Sequence, residues 1–196
     1  VLDESRYDDP VEGLKFILSP PLRAKEHQEA IWQGIKDGTL QVIATDHCSF
    51  DFHGDKQNGK DDFTKCPNGA PGVETRMPIV FSEGVSKGRL SLNEFAAVTS
   101  TNPAKIFGMY PKKGVLAPGS DADIVLMNPD MEVTITKNIL HENVDYTPYE
   151  GIQVKGWPVM TMVRGQAVVE NERLQVPLGF GRYINRKPVK YTELLK

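Results

Sequence analysis

Apolar residues over the first fifty positions come in short runs whose spacing predicts strands alternating with a helix. Leu14–Leu18 and Gln41–Thr45 are short apolar or β-branched runs, and the second lacks any polar alternation, which is typical of a strand buried on both faces. Segment 24–37 has a helical period, with apolar positions at Ala30, Ile31, Trp32, Ile35 and, just beyond it, Leu40. A strand, a helix and a strand in about thirty residues predict a βαβ unit with parallel strands.

Three more helices are predicted between residues 73 and 108. Segment 73–87 is amphipathic, with its inward face at Met77, Ile79, Val80, Phe81 and Val85. Ser91 and Glu94 have the spacing of a capping box, which predicts the start of the next helix. Pro103 suits the first position of a shorter third helix ending near Gly108.

The pattern changes near Tyr110, where helical periodicity gives way to short β-rich runs separated by glycine and proline. Strands are predicted at 123–127, 132–136, 159–164 and 167–170, with a hairpin turning at Arg164-Gly165-Gln166. We therefore expect an α/β portion with two strands and their helices at 1–109, a small β-domain portion at 110–172 and a tail at 173–196. The tail is basic and aromatic, so docking on a partner subunit and a loosely ordered terminus both stay open.

Composition excludes several function classes. The net charge of −3 over 196 residues gives no electrostatic reason to expect nucleic acid or an anionic membrane as a partner. No run of eighteen apolar residues is present, and the polar start VLDESRYDDP does not resemble a signal peptide. Two cysteines form no disulfide framework, so a cytoplasmic location is expected. Because the chain begins within a loop-like segment, we expect it to be part of a longer protein.

Three polar residues stand where strands or turns could direct them toward one pocket. Ser19 and Asp46 each end a predicted strand, and Asn68 lies in a turn-rich cluster closing the long loop 49–72. The C-terminal ends of strands in an α/β barrel carry catalytic groups. An aspartate there can ligate a metal and accept a proton, although capping a turn or helix is the alternative role for Asp46.

These residues lie in stretches that resemble the cyclic amidohydrolases, most closely the dihydropyrimidinase/hydantoinase group. The similarity extends from residue 14 to about residue 170, and the order and spacing of the stretches make it specific. The matching stretches are ILSPPLR (17–23), TDHCSF (45–50), GKDDFTKCPNGAPGVETRM (59–77), TSTNPAKIFGMYPKKG (99–114) and GSDADIV (119–125).

The resemblance implies the C-terminal part of a metal-dependent (β/α)8 barrel, with strands 7 and 8, followed by part of a small β-sandwich. It implies two zinc ions bridged by a carbamylated lysine, with Asp46 as a metal ligand and proton shuttle. Ser19 and Asn68 would grip the substrate, a small cyclic imide or ureide, largely through backbone groups. A homotetramer is also implied.

The remaining metal ligands of that family have no counterpart here. His47 is expected to pack beside the site, His53 to contact the pocket or solvent, and His27 and His141 to lie on the surface. We expect Cys48 and Cys66 to pack in small buried spaces, and three basic residues to be superficial or to anchor loops: Lys60, Lys65 and Arg76. The 196 residues alone are therefore predicted to be inactive.

Two other functions remain open. A sister group, the collapsin response mediator proteins, keeps the fold as a non-catalytic scaffold, but it lacks the aspartate at position 46 and differs at position 68. Allantoinases and dihydroorotases differ in the stretches matching DHCSF and SPPLR. Ring opening of dihydropyrimidines or hydantoins is therefore the favoured function.

Overall fold

The structure is a computed structural model that describes residues 1–189, and it has mixed α/β content. Its helical part consists of α1 (His27–Lys36), α2 (Arg76–Val80), α3 (Leu92–Ala96) and α4 (Asn102–Ile106). Short 3-10 turns occur at Glu4–Tyr7, Glu12–Phe16, Lys56–Gly59, Phe63–Lys65 and Lys137–Ile139. All four α-helices thus lie before residue 107, with a long irregular stretch between α1 and α2, and the regular strands begin only at Ile124.

A four-stranded antiparallel sheet follows the helices, in the order β1-β2-β3-β4. Its strands are β1 (Ile124–Thr134), β2 (Gln153–Val163), β3 (Gln166–Glu170) and β4 (Arg173–Leu174). The first two predicted strands fall largely within β1, which contains a register shift between Asn128 and Glu132. The hairpin prediction is confirmed: Arg164 and Gly165 have φ values of 52° and 78°, as a two-residue type I′ turn requires.

The predicted helices are present, with changes at their ends. In α1 and just beyond it, the predicted apolar face at Ile31, Ile35 and Leu40 is buried only at Ile35, beside which Trp32 packs. Ile31 is 52% exposed and Leu40 43% exposed, so the prediction was wrong at these two positions. α2 continues into a π-helical turn at Phe81–Ser86 and buries the predicted residues Ile79, Val80 and Phe81.

Pro103 does not start a separate helix. α3 continues into α4 through a π-helical turn at Ala97–Thr101. A proline has no N–H for the preceding helical turn, and the wider π turn accommodates that loss without ending the helix.

The two predicted N-terminal strands are wrong as regular strands in this chain. Leu14–Leu18 overlaps a 3-10 turn, and Gln41–Thr45 is irregular. The backbone of the second segment bonds to helices: Ile43 N–H donates to Val98 O, and Gln41 O accepts from the Asn102 side chain. A strand needs a neighbouring strand, and within residues 1–189 none runs alongside either segment.

The hydrophobic cores join the helical and β-rich portions. Ile79 of α2 packs with four buried residues from the later part of the chain: Ile135, Leu140, Val154 and Trp157. Gly156 of β2 lies so close to Phe81 that an added Cβ would be 2.1 Å from Phe81 Cδ1. The sheet therefore packs directly on α2 and holds the adjoining loops in place.

The capping box at the start of α3 is confirmed. Ser91 Oγ accepts from Glu94 N–H, and the Glu94 carboxylate accepts from Ser91 N–H at 2.7 Å. Because Ser91→Ala leaves an amide without its cap, we expect a loss of about 1 kcal/mol of stability. Thermal unfolding measures the loss. The exposed residue Asn93 lies in the same helix, and Asn93→Ala should leave the melting temperature nearly unchanged; an equal fall in both variants would contradict the prediction.

The described part of the tail packs on the same chain. Arg164 Nη2 donates to Phe180 O at 2.8 Å, and Lys187 N–H donates to Gly108 O at 3.0 Å. The last seven residues, including Lys190, Tyr191 and Lys196 of the basic aromatic pattern, lie outside the described residues. In the part that the structure covers, no helix combines the length and apolarity needed to cross a membrane.

Candidate functional site

Two of the three predicted site residues are in direct contact. Asn68 Nδ2 donates a hydrogen bond to Ser19 Oγ at 2.8 Å, although 49 positions separate them in sequence. Both residues are exposed. The same approach is fixed in the backbone, since Gly69 N–H donates to Ile17 O at 3.0 Å. The segments that carry Ser19 and Asn68 are therefore bound together.

The loop bearing Asn68 also lies against the segment that follows Asp46. Cys48 N–H donates to Ala70 O at 3.2 Å. Gly69 has a φ of 148°, and a Cβ there would lie 2.5 Å from Cys48 O, so only glycine permits this approach. The turn-rich stretch thus connects the segment of Ser19 with the segment of Asp46.

Asp46 is exposed, and its side chain has no hydrogen-bond partner within residues 1–189. Its φ of 47° is left-handed, a conformation that aspartate tolerates better than most residues. A free carboxylate of this kind fits the role of one metal donor. No group of three potential metal-ligating side chains occurs among the described residues, so Asp46 could supply only part of a site.

His47 is oriented by the backbone of the next loop. Its Nδ1 lies 3.1 Å from Gly72 N and 3.3 Å from Val73 N, and both amides donate to it. Because Nδ1 is an acceptor, its 3.8 Å approach to Glu142 is not an ion pair, although the Glu142 side chain is only 4% exposed. His47 thus orients the loop, as a packing residue beside the site would.

A carboxylate from the β-rich portion holds the start of the long loop. The oxygens of Asp145 accept from Phe52 N–H at 2.6 Å and from His53 N–H at 2.9 Å. His53 Nδ1 lies 2.7 Å from the same carboxylate and is largely solvent-exposed. These bonds to the amides of residues 52 and 53 lower the pKa of Asp145. The loop is therefore packed at Phe52, which is 5% exposed, whereas Phe63 is 69% exposed.

Sequence reasoning missed the interior of this loop. Lys56 is 0% exposed, and its Nζ donates to Ile17 O and Pro67 O, each at 2.8 Å. A small core lies below it, formed by Leu14, Phe52, Cys66 and Tyr146. The polar composition of the loop contained no signal for a buried lysine.

Of the other single-residue predictions, some are confirmed and one is wrong. Cys66 is buried as expected, but Cys48 is exposed, because it sits at the surface beside Gly69. His27 and His141 are exposed, and the Glu74 carboxylate 2.8 Å from His141 Nδ1 raises the pKa of that histidine. The basic residues anchor loops or face solvent: Arg76 donates to Ile43 O, Lys65 pairs with Asp62, and Lys60 is exposed.

Two apolar clefts, of about 580 and 560 Å³, lie where helices meet the sheet, and both include Met77. Neither contains Ser19, Asp46 or Asn68. Ser19 and Asn68 instead meet at the surface, and the segment that follows Asp46 adjoins the loop that carries Asn68.

Comparison with known proteins gives a consistent result. The model of the amidohydrolase family matches residues 7–168. The chain is 48% identical over 196 residues to a D-hydantoinase of Geobacillus stearothermophilus, and 47% identical over 188 residues to a D-phenylhydantoinase of Escherichia coli O1:K1. All of this chain is covered in the first comparison and 96% in the second.

Solved structures agree with the sequence comparison. A dihydropyrimidinase from Brevibacillus agri NCHU1002 has a TM-score of 0.95 at 49% identity, covering 97% of this chain and 41% of that one. A crystal structure of a D-hydantoinase has a TM-score of 0.93 at 48% identity, covering 95% of this chain and 41% of that one. The chain spans 41% of the length of both curated relatives.

Proposed function

Because the chain belongs to the amidohydrolase family, we propose that it is part of a longer protein that hydrolyses the cyclic amide bond of dihydropyrimidines or hydantoins. The products are N-carbamoyl amino acids. The observation that carries the proposal is the Asn68–Ser19 hydrogen bond, formed on a loop that also contacts the segment following the free carboxylate Asp46. High similarity to proteins named hydantoinase and dihydropyrimidinase supports it.

Ser19 and Asn68 are the proposed substrate-binding residues. A planar cyclic ureide presents alternating C=O and N–H groups along its edge. Hydroxyl, amide and backbone groups of the protein can donate hydrogen bonds to the C=O groups of the ureide and accept them from its N–H groups. The 2.8 Å contact between the two side chains keeps these groups together at one place on the surface.

Asp46 is the proposed metal ligand and catalytic acid–base group. Two zinc ions, bridged by a carbamylated lysine, would provide a strong nucleophile at neutral pH and polarise the attacked carbonyl. Asp46 would accept the proton released from the nucleophile and deliver it to the leaving nitrogen. The other ligands would come from the remainder of the longer protein.

The same remainder would complete the fold. We propose that segments 14–18 and 41–45 are strands 7 and 8 of a (β/α)8 barrel and that the antiparallel sheet is part of a β-sandwich. The absence of a strand beside segment 41–45 within residues 1–189 is consistent with this assignment, because a barrel strand separated from its neighbours has no ladder partners. A homotetramer and a cytoplasmic location stay predictions.

The direct test is ring opening by the longer protein. Purified with zinc, it should convert dihydrouracil or 5-phenylhydantoin to the corresponding N-carbamoyl amino acid. Chromatography measures the formation of this product. The isolated 196 residues serve as the control and should show no turnover. No ring opening on either substrate class by the longer protein would contradict the proposal.

Metal analysis tests the scaffold alternative. About two zinc ions per subunit are expected for the hydrolase, whereas a scaffold of the same fold would bind none. The presence of both Asp46 and Asn68 favours the hydrolase.

A further inference from the structure

Lys56 is buried between the two segments that carry the proposed substrate-binding residues. Its side chain is 0% exposed, in the 3-10 turn Lys56–Gly59. Its ammonium group donates to Ile17 O and to Pro67 O, each at 2.8 Å. Lys56 therefore bridges two segments that are far apart in sequence.

Burying the ammonium group of Lys56 costs desolvation free energy. Within residues 1–189, no carboxylate oxygen lies within 4 Å of Lys56 Nζ. Burial lowers the pKa of Lys56, as it does for any cation withdrawn from water without a counter-charge. An apolar side chain would fill the same space without that desolvation penalty. What lysine adds at this position is its pair of bonds to the two carbonyl groups.

Those carbonyl groups adjoin the proposed site. Ile17 lies two positions before Ser19, and Pro67 directly precedes Asn68. Ile17 O also accepts a hydrogen bond from Gly69 N–H. The same oxygen therefore receives the bond from Lys56 and a backbone bond from the loop that carries Asn68. The ammonium thus acts on the backbone on either side of the Asn68–Ser19 hydrogen bond.

We propose that Lys56 is a positioning residue for substrate binding, which holds the carbonyl groups of Ile17 and Pro67 so that Ser19 and Asn68 meet the same cyclic ureide. This inference rests on the proposed function. Lys56 itself lies beneath the loop and does not touch the substrate. Its contribution is the spacing between the two binding segments.

The test compares Lys56→Met with Lys60→Met in the zinc-loaded longer protein. Methionine keeps the length of the side chain but cannot donate, so Pro67 O loses its ammonium donor and Ile17 O keeps only its bond from Gly69 N–H. We expect KM for dihydrouracil to rise about tenfold or more, with kcat close to that of the wild type, because the lost interaction serves binding. Lys60 is exposed in the same loop, so Lys60→Met should leave KM and kcat unchanged.

A second background shows whether Lys56 acts through Asn68. Asn68→Ala removes the side chain that donates to Ser19. If Lys56 works by placing Asn68, then Lys56→Met should raise KM much less in the Asn68→Ala background than in the wild type. Equal fold-changes in both backgrounds would overturn the proposal.

A crystal structure of Lys56→Met gives a readout that does not depend on activity. The Asn68 Nδ2–Ser19 Oγ distance, 2.8 Å here, should lengthen beyond hydrogen-bonding range. Retention of that contact, an unchanged KM, or a fall in kcat alone would overturn the positioning role. Loss of the folded state would also overturn it, by assigning Lys56 to folding. A wild type that opens neither ring contradicts the proposed function instead, and the crystal structure would still decide the role of Lys56.

Discussion

Asp46→Asn in the longer zinc-loaded protein is expected to lower kcat for ring opening by about 10²–10⁴-fold. Asparagine matches aspartate in size, but it carries no charge and cannot accept and return a proton. Because Ser19 and Asn68 are unaffected, KM should change far less than kcat. Steady-state kinetics with dihydrouracil or a 5-substituted hydantoin measure the split, and metal analysis shows whether the loss of the carboxylate also weakens zinc binding.

The matched control for this substitution is Asp61→Asn. Asp61 is an exposed aspartate in the loop that follows Asp46, and within residues 1–189 it forms no hydrogen bond or ion pair with the proposed site residues. The same change of charge there should leave kcat at the wild-type value. If Asp46→Asn retained wild-type kcat, Asp46 would be neither the acid–base group nor an essential ligand.

Ile135→Ala is expected to cost about 2–5 kcal/mol of stability, the largest structural effect that we predict. Ile135 is 0% exposed and packs with Ile79, Val154 and Trp157, where helix α2 meets the sheet. Alanine leaves a cavity in this core. The surrounding structure has little room to move into the cavity, because Gly156 and Phe81 are already in close contact. Hydrogen exchange of the β1 and β2 amides in the longer protein measures the loss as a lower free energy of opening.

Two further substitutions serve as a smaller truncation and as a surface control for Ile135→Ala. Ile135→Val removes one methylene and should cost about 0.5–1.5 kcal/mol. Thr134→Ala lies next to it on the exposed side of β1 and should change the opening free energy little. An Ile135→Ala protein with wild-type exchange rates would show that the core is not continuous across the helix–sheet junction.

Local signals predicted the elements whose causes are local. The capping box needs only Ser91 and Glu94, and the hairpin needs only two β-rich runs separated by a short turn with Gly165, so both could be predicted from short stretches. The sequence predicted that Ser19 and Asn68 could face one pocket, and the structure brings their side chains into contact, although the predicted strand before Ser19 is a 3-10 turn here.

Features that depend on distant partners could not be predicted in the same way. Segment 41–45 has the composition of a buried strand, but its backbone pairs with helices because no strand lies beside it. Lys56 is buried because two carbonyl groups from elsewhere in the chain accept hydrogen bonds from it. From sequence alone, a lysine in a polar loop is normally predicted to be exposed to solvent. Cys48 is exposed although Gly69 packs closely against it, a contact between segments that are distant in sequence.

The attachment of the long loop to Asp145 bears on the order in which the molecule is made. The amides of Phe52 and His53 precede that carboxylate by 93 and 92 positions. During translation the loop leaves the ribosome while its anchor is still unsynthesised. The surface formed by this loop therefore matures late, and a nascent chain stopped after α4 would expose the loop to proteases and chaperones without its anchor.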